Sequence, residues 1–314
     1  MSIHQPSILK LLIILGGNTM EIRVLRYFVA VVQEENINRA ARKLHITQPT
    51  LSRQLMDLEN ELHCKLFTRG SHGISLTTQG HFLYKHAQEI LTLVDKTTDQ
   101  FNMPEEIISG NILIGCAETE ALRGIAKVMK NLHDKYPQIQ FHLFSGNADE
   151  ITAKLDNGVY DFAIMGDADM KKYNYIRLIT KQTWGVLMLK NSQLANKANI
   201  SPQDLWHLPL ICSNQSMVDS KIAGWMQKNI EELHIVATYN LIRNAAILAE
   251  EGLGYVLGFD KLINTDGNNK LCFRPLSPKL ETNMHLAWKK NQILTKQAEV
   301  FLKALQEDLR SKNI

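Results

Sequence analysis

The segment Leu44-His45-Ile46-Thr47-Gln48-Pro49-Thr50-Leu51-Ser52-Arg53-Gln54 decides the fold of the first part of the chain. Thr47 is a residue type that caps helix N-termini, and Pro49 falls in the first helical turn, where its missing N–H costs nothing. Apolar residues then recur at i, i+4, i+7 and i+11, namely at Leu51, Leu55, Leu58 and Leu62. The segment therefore predicts an amphipathic helix with one buried leucine stripe and a polar face that begins at its N-terminus.

Two helices are predicted before this segment and a two-stranded wing after it. Apolar residues from Val24 to Val32 recur at helical spacing and predict a first helix that ends near Glu35. Asn38 is expected to start a short second helix, in which the small pair Ala40-Ala41 allows close packing. Beyond the third helix, two short apolar stretches at 66–67 and 74–76 flank a turn with two glycines, which predicts the wing.

A helix, a tight turn and a helix with a polar N-terminal face form the arrangement that places a helix in the major groove of DNA. Residues 38–80 contain six Lys and Arg against three Asp and Glu, a local balance of +3, and all three acids lie in the second half of the third helix. Gln can read adenine, Arg can read guanine, and Ser or Thr suit a base or a phosphate. A plain three-helix bundle with a solvated polar face gives the same pattern, so the residues alone leave both interpretations open.

The same residues are similar to the winged helix-turn-helix of LysR-type transcriptional regulators. The resemblance rests, in order, on Leu25-x-x-Phe28, Asn38-Arg39-Ala40-Ala41, the segment Leu44–Gln54, Leu58-Glu59, Leu66-Phe67-x-Arg69 and Leu76-Thr77. It implies that the N-terminal face of the third helix meets DNA, with the wing at the flanking minor groove. The DNA-binding residues predicted in this way are Asn38, Arg39, Thr47, Gln48, Pro49, Thr50, Ser52, Arg53, Arg69 and His72. The family often has Arg or Lys at the position of His72, so an exposed turn histidine without a role is an equal alternative there.

A long helix is predicted to begin at Thr77-Thr78. Six residues spaced four and three apart form a short heptad seam, which suits pairing with a second copy of the chain. The seam residues are Leu83, Ala87, Ile90, Val94, Thr97 and Phe101. Phe82 and Leu93 are expected to form a second edge that packs on the winged domain. A single amphipathic helix lying on its own chain is the alternative, whereas the resemblance implies a dimer and often a dimer of dimers.

Strand and helix patterns alternate from Gly110 to the end of the chain, which predicts two α/β lobes with a cleft between them. Pro104 with Glu105-Glu106 is expected to form a hinge before the first lobe. The resemblance continues here, because Gly158–Ile164 and Glu251–Tyr255 are similar to the effector-binding domain of the same family, which shares its fold with periplasmic binding proteins. Ligands of such folds lie at the carboxyl ends of strands.

Transferred by strand position, ten residues are predicted to bind the effector, and about half of them are expected to touch it. They are Ala117, Glu118, Thr119, Ser145, Gly146, Asn147, Met165, Gly166, Ser213 and Asn214. Ordinary solvated loop residues would look the same. Glu118 and Glu120 disfavour an anionic effector if they point inward, whereas hydroxyl groups and helix N-termini favour one, so the sign of the effector charge stays open.

Composition and motifs argue against several other classes of protein. Apolar residues make up 45% and charged residues 21% of the 314, with a net charge of +3, which is typical of a globular chain of two or three domains. The four cysteines include no Cys-x-x-Cys pair, which fits a reducing cytoplasm, and the apolar run near residues 8–15 is too short to span a bilayer. No Walker loop, Gly-x-Ser-x-Gly elbow or His-Glu-x-x-His motif occurs, so no cofactor, metal or catalytic residue is predicted.

The sequence therefore predicts a multidomain chain of mixed α+β class. Residues 1–19 are expected to be a spurious or disordered extension before a true start at Met20, with a short docking helix as the alternative. Residues 20–77 are expected to form the winged helix-turn-helix and 78–103 the linker and dimerisation helix. Residues 104–314 are expected to form a two-lobed α/β effector domain of the periplasmic-binding-protein type. Lobe I is placed at about 108–180 and 275–310, and lobe II at about 181–274.

The predicted function is that of a cytoplasmic, sequence-specific DNA-binding transcriptional regulator controlled by a small-molecule effector, and not an enzyme. The predicted partners are double-stranded DNA with a dyad-symmetric operator, the effector, a second copy of the chain in a homodimer or homotetramer, and RNA polymerase. The alternative is an α/β ligand-binding or enzymatic protein whose helical N-terminal segment serves only for dimerisation.

Overall fold

The computed structural model describes residues 20–70, 73–102, 107–167, 170–214 and 220–312. The chain forms two compact units, of which the first ends at Phe101 and the second begins at Asn102. The predicted extension at 1–19, the wing-tip residue His72 and the hinge at 104–106 lie outside the described residues. Within the described ranges no helix is both long and apolar enough to cross a membrane.

The N-terminal unit is a winged helix-turn-helix followed by a long helix, which confirms the predicted architecture. Its elements in order are α1 (Ile22–Glu34), α2 (Ile37–Lys43), α3 (Gln48–Glu61), β1 (Phe67–Gly70), β2 (Gly73–Leu76) and α4 (Thr78–Asn102). The two strands pair antiparallel and form the wing. One core joins the three short helices to the start of α4, and Phe28, Ala40 and Leu51 are fully buried in it.

Helix caps explain where the short helices begin and correct two predictions. The Oδ1 atom of Asn36 accepts the backbone N–H of Arg39 at 3.0 Å, so α2 starts at Ile37 and Asn38 lies inside it rather than at its cap. Thr47 caps α3 as predicted, since its Oγ1 accepts the N–H of Thr50. Leu62 does not belong to the buried stripe: it follows the end of α3 and is 37% exposed.

The first turns of α4 pack on their own chain, which corrects part of the predicted dimer seam. Leu83 and Ala87 are buried in the core of the winged domain, together with Leu91. Phe82, which was expected to pack on that domain, is instead 68% exposed. The heptad spacing continues to Phe101, and that side chain is 85% exposed. Only the C-terminal part of the predicted seam is therefore free to meet another surface.

Lobe I of the C-terminal unit is a five-stranded mixed sheet with helices on both sides. Its elements are β3 (Gly110–Cys116), α5 (Leu122–Lys135), β4 (Ile139–Ser145), α6 (Ala148–Asp156), β5 (Phe162–Met165), β6 (Tyr173–Arg177), β13 (His285–Lys289) and α9 (Lys296–Lys312). The strand order is β4-β3-β5-β13-β6, with β4, β3 and β5 parallel and β13 antiparallel to its neighbours. The carboxyl ends of the three parallel strands therefore meet at one edge.

Lobe II repeats this plan with a sheet of its own. Its elements are β7 (Gln182–Leu189), β8 (Leu210–Ser213), α7 (Ser220–Met226), β9 (Ile235–Tyr239), α8 (Ile242–Glu250), β10 (Tyr255–Phe259), β11 (Leu271–Pro275) and β12 (Glu281–Thr282). The strand order is β11-β7-β10-β8-β9, and β12 pairs with the start of β7. The parallel strands β10, β8 and β9 end at a common edge, as their counterparts do in lobe I.

Two extended segments join the lobes. The chain leaves lobe I through 178–181 and returns between β12 and β13, where the indole Nε1 of Trp184 donates to Oγ1 of Thr282 at 2.9 Å. The return into lobe I thus lies near residue 284, later than the predicted 275, because β11 and β12 both pair with β7 of lobe II. A cleft lies between two lobes that are joined in this way.

Candidate functional site

The N-terminal face of α3 is a polar surface without an apolar cover. Thr47, Gln48 and Thr50 are exposed, with Oγ1 of Thr47 at 2.8 Å from Oγ1 of Thr50. Nε2 of Gln48 donates to Oγ of Ser52 at 2.7 Å, which holds the amide above the first turn. Arg53 is exposed, and no hydrogen bond or ion pair of its guanidinium occurs within the described ranges. This face therefore presents donors and acceptors that are available to a partner.

Arg39 and Lys43 of α2 differ from Arg53, because they make contacts inside the domain. Nε of Arg39 donates to the backbone oxygen of Glu34 at 3.2 Å, and its Nη2 makes a second, shorter contact with the same oxygen. Lys43 pairs with the carboxylate of Glu34 at 2.8 Å. Both contacts stabilise the C-terminal end of α1, where a positive charge is favoured by the helix dipole. Arg39 and Lys43 thus hold α2 to α1 in addition to any contact with DNA.

A buried carboxylate holds the wing against the end of α3. Glu59 is 8% exposed, and its Oε1 accepts the backbone N–H groups of Leu66 at 2.9 Å and of Phe67 at 3.3 Å. Its Oε2 accepts from Nζ of Lys65 at 2.6 Å. Burial alone would raise the pKa of Glu59, but Lys65 and the two amides outweigh it and hold the pKa below its usual range. Glu59 therefore fixes the angle between α3 and β1.

The remaining DNA-binding predictions fall around this face. Pro49 is exposed in the first turn of α3, and Asn38 is exposed in the first turn of α2. Arg69 lies in β1, one residue before the end of that strand. His72 cannot be placed, because it lies outside the described residues. The α3 residues thus share one surface of the domain, with the wing anchored beside them through Glu59.

A cavity of about 120 Å³ lies between the two lobes of the C-terminal unit. A single water needs roughly 10–15 Å³ by the same measure, so the cavity has room for a small metabolite. Strand ends of both lobes supply most of its lining, as the parallel sheets require. The lining residues are Ala117, Glu118, Gly146, Asn147, Ala148, Met165, Gly166, Asp167, Trp184, Ser213, Asn214, Tyr239, Asn240, Ile242, Gly258, Phe259, Leu262, Thr282 and Met284.

Most residues that were expected to bind the effector meet in this cavity, and two do not. Eight of the ten line it: Ala117, Glu118, Gly146, Asn147, Met165, Gly166, Ser213 and Asn214. Thr119 is buried beside it, where its Oγ1 accepts the N–H of Ala121 at 3.1 Å and starts the turn into α5. Ser145 is exposed at the end of the edge strand β4. Both residues therefore lie outside the lining of the cavity, which corrects the prediction that they line it.

Sequence reasoning missed the walls that lobe II and the connecting segments contribute. Trp184 and Phe259 lie on the lobe II side, with ring centroids 4.5 Å apart in an edge-to-face arrangement. Oη of Tyr239 donates to the backbone oxygen of Leu257 at 2.8 Å, and burial raises the pKa of this phenol. Tyr239 follows the same rule as the predicted residues, since it ends the parallel strand β9. Trp184 carried no such signal, because it lies near the start of β7.

The carboxylate of Glu118 crosses the cleft to the N-terminus of a lobe II helix. Its Oε2 accepts the backbone N–H of Ile242, the first residue of α8, at 2.7 Å. No side chain caps this helix from Leu241, so Glu118 supplies the missing acceptor. A side chain at Gly258 would place its Cβ 2.7 Å from Cδ1 of Ile242, and the glycine therefore lets the start of α8 reach the cavity. Glu120 points elsewhere and pairs with Arg123 at 3.0 Å.

A second contact joins the lobes at Asp167. Its Oδ2 accepts from Nζ of Lys221, in α7 of lobe II, at 2.6 Å, and Asn283 donates its backbone N–H and side-chain amide to the same carboxylate at 3.4 Å. Burial would raise the pKa of Asp167, but Lys221 and Asn283 lower it below the usual range. Two carboxylates of lobe I thus hold it to lobe II: Glu118, which follows β3, and Asp167, which follows β5.

The cysteines near the cleft are not activated thiols. Burial, with a further contribution from Glu118, raises the pKa of Cys116 to about 12. Burial likewise raises the pKa of Cys212 to about 12. Neither side chain carries a thiolate at neutral pH, which is the form that reacts with oxidants. Among the described residues, no group of three or more His, Cys, Asp or Glu side chains has the geometry to hold a metal ion.

Two family models match the chain, one for each unit. Residues 22–81 match the model described as "Bacterial regulatory helix-turn-helix protein, lysR family". Residues 106–310 match the model described as "LysR substrate binding domain", which covers more than half of the chain. The two matches follow each other in the order of the DNA-binding and effector domains that the sequence predicted.

Named relatives agree with these matches. A probable RuBisCO transcriptional regulator of Emiliania huxleyi is 28% identical over 73% of this chain and 76% of its own. The HTH-type transcriptional regulator BudR of Klebsiella aerogenes is 36% identical over 45% of this chain and 100% of its own. The crystal structure of HinK, a LysR family transcriptional regulator from Pseudomonas aeruginosa, has a TM-score of 0.53 at 25% identity and covers 93% of this chain and 99% of that one.

These proteins are named as transcriptional regulators, which does not favour the alternative of an α/β enzyme with a helical dimerisation module. The chain therefore belongs to the LysR family and is a DNA-binding transcriptional regulator with an effector-binding domain, as predicted.

Proposed function

We propose that α3 reads a dyad-symmetric operator in the major groove of double-stranded DNA, and that the cavity between the lobes binds the effector that controls it. The observation that carries this proposal is the exposed N-terminal face of α3, where Gln48, Thr50 and Arg53 stand beside a wing that Glu59 fixes in place. Amide, hydroxyl and guanidinium groups on the first turns of a helix are the groups that contact base edges.

Arg53 is the side chain with which we test sequence reading. It is exposed and lies on the face opposite the buried Leu51 and Leu55, so its removal leaves the core intact. If Arg53 holds a base, Arg53→Ala weakens binding to the preferred site by about 1–3 kcal/mol. The preferred site is first selected from a genomic fragment library with the full-length chain, and affinity is then measured by electrophoretic mobility shift at several salt concentrations.

Arg42→Ala provides a matched control, because it also removes one exposed cation from the same domain, and no hydrogen bond or ion pair of the Arg42 guanidinium occurs within the described ranges. We expect it to weaken binding to all sequences alike and to lower the salt dependence by about one counterion. If Arg53→Ala weakened binding to the selected site and to a scrambled site equally, Arg53 would not read a base. An unchanged footprint with Arg53→Ala would contradict the docking of α3 itself.

We propose that a homodimer places two copies of α3 on the operator, through the part of α4 that the winged domain leaves uncovered. Phe82 and Phe101 are strongly exposed, and Leu93 and Val94 lie between them with partly exposed side chains. This surface replaces the predicted seam residues Leu83 and Ala87, which the core of the domain occupies. An operator with two half-sites about one helical turn apart requires such pairing.

The test of this surface is the mass of the protein in solution. Phe101→Asp removes the most exposed aromatic of α4 without touching the core, and we expect a loss of dimer in analytical ultracentrifugation. Lys96→Asp changes charge on the same helix and serves as the control for surface charge. A dimer or tetramer of unchanged stability with Phe101→Asp would place the interface elsewhere.

We propose that the effector binds in the cavity and changes the balance between two arrangements of the lobes. A ligand regulates only if it binds two arrangements with different affinity. The Glu118–Ile242 hydrogen bond and the Asp167–Lys221 ion pair both cross the cleft and both border the cavity, so a bound molecule competes with them or adds to them.

As a reader of chromosomal DNA, the protein would act in the cytoplasm, and RNA polymerase would be its partner at a promoter that it activates.

A further inference from the structure

We propose that the effector carries a positive charge, such as an ammonium or amidinium group, attached to a flat apolar portion, and that Glu118 and Asp167 select for that charge. This inference rests on the proposed function of the cavity as the effector site. It concerns a property that the sequence left open, the sign of the effector charge.

The charged groups of the lining are all acidic. Glu118 and Asp167 contribute carboxylates, and no Lys, Arg or His belongs to the lining as far as the chain is described. The two gaps in the description that follow Asp167 and Asn214, at 168–169 and 215–219, contain two Asp and no Lys or Arg in the sequence. A carboxylate ligand would therefore enter a cavity with no lining cation and with two carboxylates, of which only that of Asp167 is paired with a cation, Lys221 outside the lining.

The N-termini of α8 and α6 do not reverse this balance, because the protein already places an acceptor and negative charge at each of them. The carboxylate of Glu118 accepts the N–H of Ile242 at 2.7 Å and so takes the position that an anion would occupy at α8. At α6, Oδ1 of Asn147 accepts the N–H of Glu150 at 2.8 Å. The first turn of α6 also carries Asp149 and Glu150, whose negative charges already compensate the positive end of the helix dipole.

The cation that contacts a lining carboxylate is already used in an ion pair. Lys221 pairs with Oδ2 of Asp167 at 2.6 Å and lies outside the lining. One carboxylate of the cavity, that of Glu118, is thus paired only with a neutral amide within the described parts of the chain. A ligand cation gains a charged partner there without displacing a salt bridge, whereas a ligand anion would first have to displace Glu118 from α8.

Aromatic side chains suit the rest of such a ligand. Trp184 and Phe259 line the cavity from lobe II, and the Trp184 indole is fixed by its hydrogen bond to Thr282. A flat apolar group packs on these rings, and a cation near an aromatic face gains a further attraction. Met165 and Met284 add apolar surface on the lobe I side.

Three probes of nearly equal shape separate charge from fit: benzamidine, benzamide and benzoate, with charges of +1, 0 and −1 at neutral pH. Each is titrated against the full-length chain by isothermal titration calorimetry. We expect benzamidine to bind at least tenfold more tightly than benzoate, with benzamide between them. Two-dimensional NMR of methyl-labelled methionine locates binding through Met165 and Met284, which line the cavity.

Substitutions that keep hydrogen bonding but remove charge identify the selecting groups. Glu118→Gln retains an acceptor for the N–H of Ile242, and we expect it to weaken benzamidine about tenfold while benzoate improves. Asp167→Asn leaves Lys221 without its carboxylate, so the double variant should prefer benzoate. Glu120→Gln removes an equal charge two residues from Glu118 but outside the lining, and it should leave all three affinities unchanged. Thermal melting of each variant checks that it is folded.

The outcomes distinguish the inference from the function on which it rests. Benzoate binding as tightly as benzamidine in the native chain, or a benzamidine preference that survives both substitutions, overturns the charge assignment and leaves the cavity as the effector site. Failure of all three probes to shift the Met165 and Met284 signals at millimolar concentration contradicts the cavity as a ligand site, and both proposals then fail.

Discussion

Replacing Glu59 tests how the winged domain holds its wing. Glu59→Ala removes the oxygen that accepts the N–H groups of Leu66 and Phe67, of which the Leu66 amide is buried and the Phe67 amide partly buried. Leaving a buried donor unsatisfied costs about 1–3 kcal/mol. The Lys65 side chain is 70% exposed, so its ion pair with Glu59 adds only about 0–1 kcal/mol. We therefore expect a loss of about 1–4 kcal/mol in the free energy of unfolding of this unit.

Glu59→Gln separates the hydrogen bonds from the charge. Its amide oxygen still accepts one backbone N–H, so the expected loss is smaller, about 1–2 kcal/mol. The carboxylate also makes stability depend on pH. Because its pKa is lower in the folded than in the unfolded state, its contribution is present above the ordinary Glu pKa and is lost as the pH falls through the folded value. Glu59→Gln should remove that part of the acid dependence.

The assay must report on the N-terminal unit alone. All four tryptophans, at 184, 206, 225 and 288, belong to the C-terminal unit, so tryptophan fluorescence in urea serves as an internal control that should not change. Hydrogen exchange of peptides from α3 and the wing, followed by mass spectrometry, gives the opening free energy of the N-terminal unit. Unchanged exchange rates in Glu59→Ala would refute the assignment of Glu59 as the wing anchor.

Three further changes have defined outcomes. Thr47→Ala removes the cap of α3 and should cost about 0.5–2 kcal/mol, seen as faster hydrogen exchange in its first turn, while Thr47→Ser should restore most of it. Gly185→Ala places a Cβ 2.0 Å from Cζ of Phe273, and should lower the urea midpoint of tryptophan fluorescence by the equivalent of about 1–3 kcal/mol. Burial lowers the pKa of His285 in the folded state by more than Asp167 raises it, so the net pKa is below the ordinary His value. The free energy of unfolding of the C-terminal unit should therefore decrease as the pH falls below that ordinary value. His285→Gln should flatten that decrease in the same assay.

Local signals were sufficient to predict the winged domain. The cap at Thr47, the leucine stripe and the glycine turn each act over a few residues, and the structure follows them to within a residue or two. The alternation of strand and helix patterns likewise predicted the α/β character of the C-terminal unit, where 162–165 and 235–239 form two of the strands. Prediction succeeded where the residues of a short segment determine its structure without contacts from distant parts of the chain.

Prediction failed where a distant segment decides the environment. The sequence of β6 mixes Tyr, Asn and Arg, and only pairing with β13 makes it a strand of lobe I. Leu83 and Ala87 have the spacing of a dimer seam, yet the same spacing also suits packing on α1 and α3, and the core of the domain takes them. Periodicity identifies the buried face of a helix but does not say which partner buries it.

The candidate cleft shows the same division. The rule that ligands lie at the ends of parallel strands placed eight of ten residues in the cavity lining. Trp184 and Thr282 were missed because they lie in β7 and β12, next to the segments that join the lobes, and their positions depend on how the chain crosses twice. The hydrogen bond from Ile242 to Glu118 spans 124 residues, a distance over which no local pattern acts.

The contacts across the cleft set the scale on which an effector works. The Glu118–Ile242 hydrogen bond and the Asp167–Lys221 pair are both partly exposed, so each contributes on the order of 1 kcal/mol to holding the lobes together. Two such contacts cannot hold one arrangement against a ligand that prefers another, since a shift from 1:99 to 99:1 requires about 5.5 kcal/mol of differential affinity. A ligand that pairs with Glu118 and packs on Trp184 gains energy of this order only when both lobes contact it. On the proposed function, the polar residues that would select the effector also hold the lobes together without it. Glu118→Ala, which removes the acceptor for the N–H of Ile242 as well as the charge, should therefore change effector affinity and lobe arrangement together.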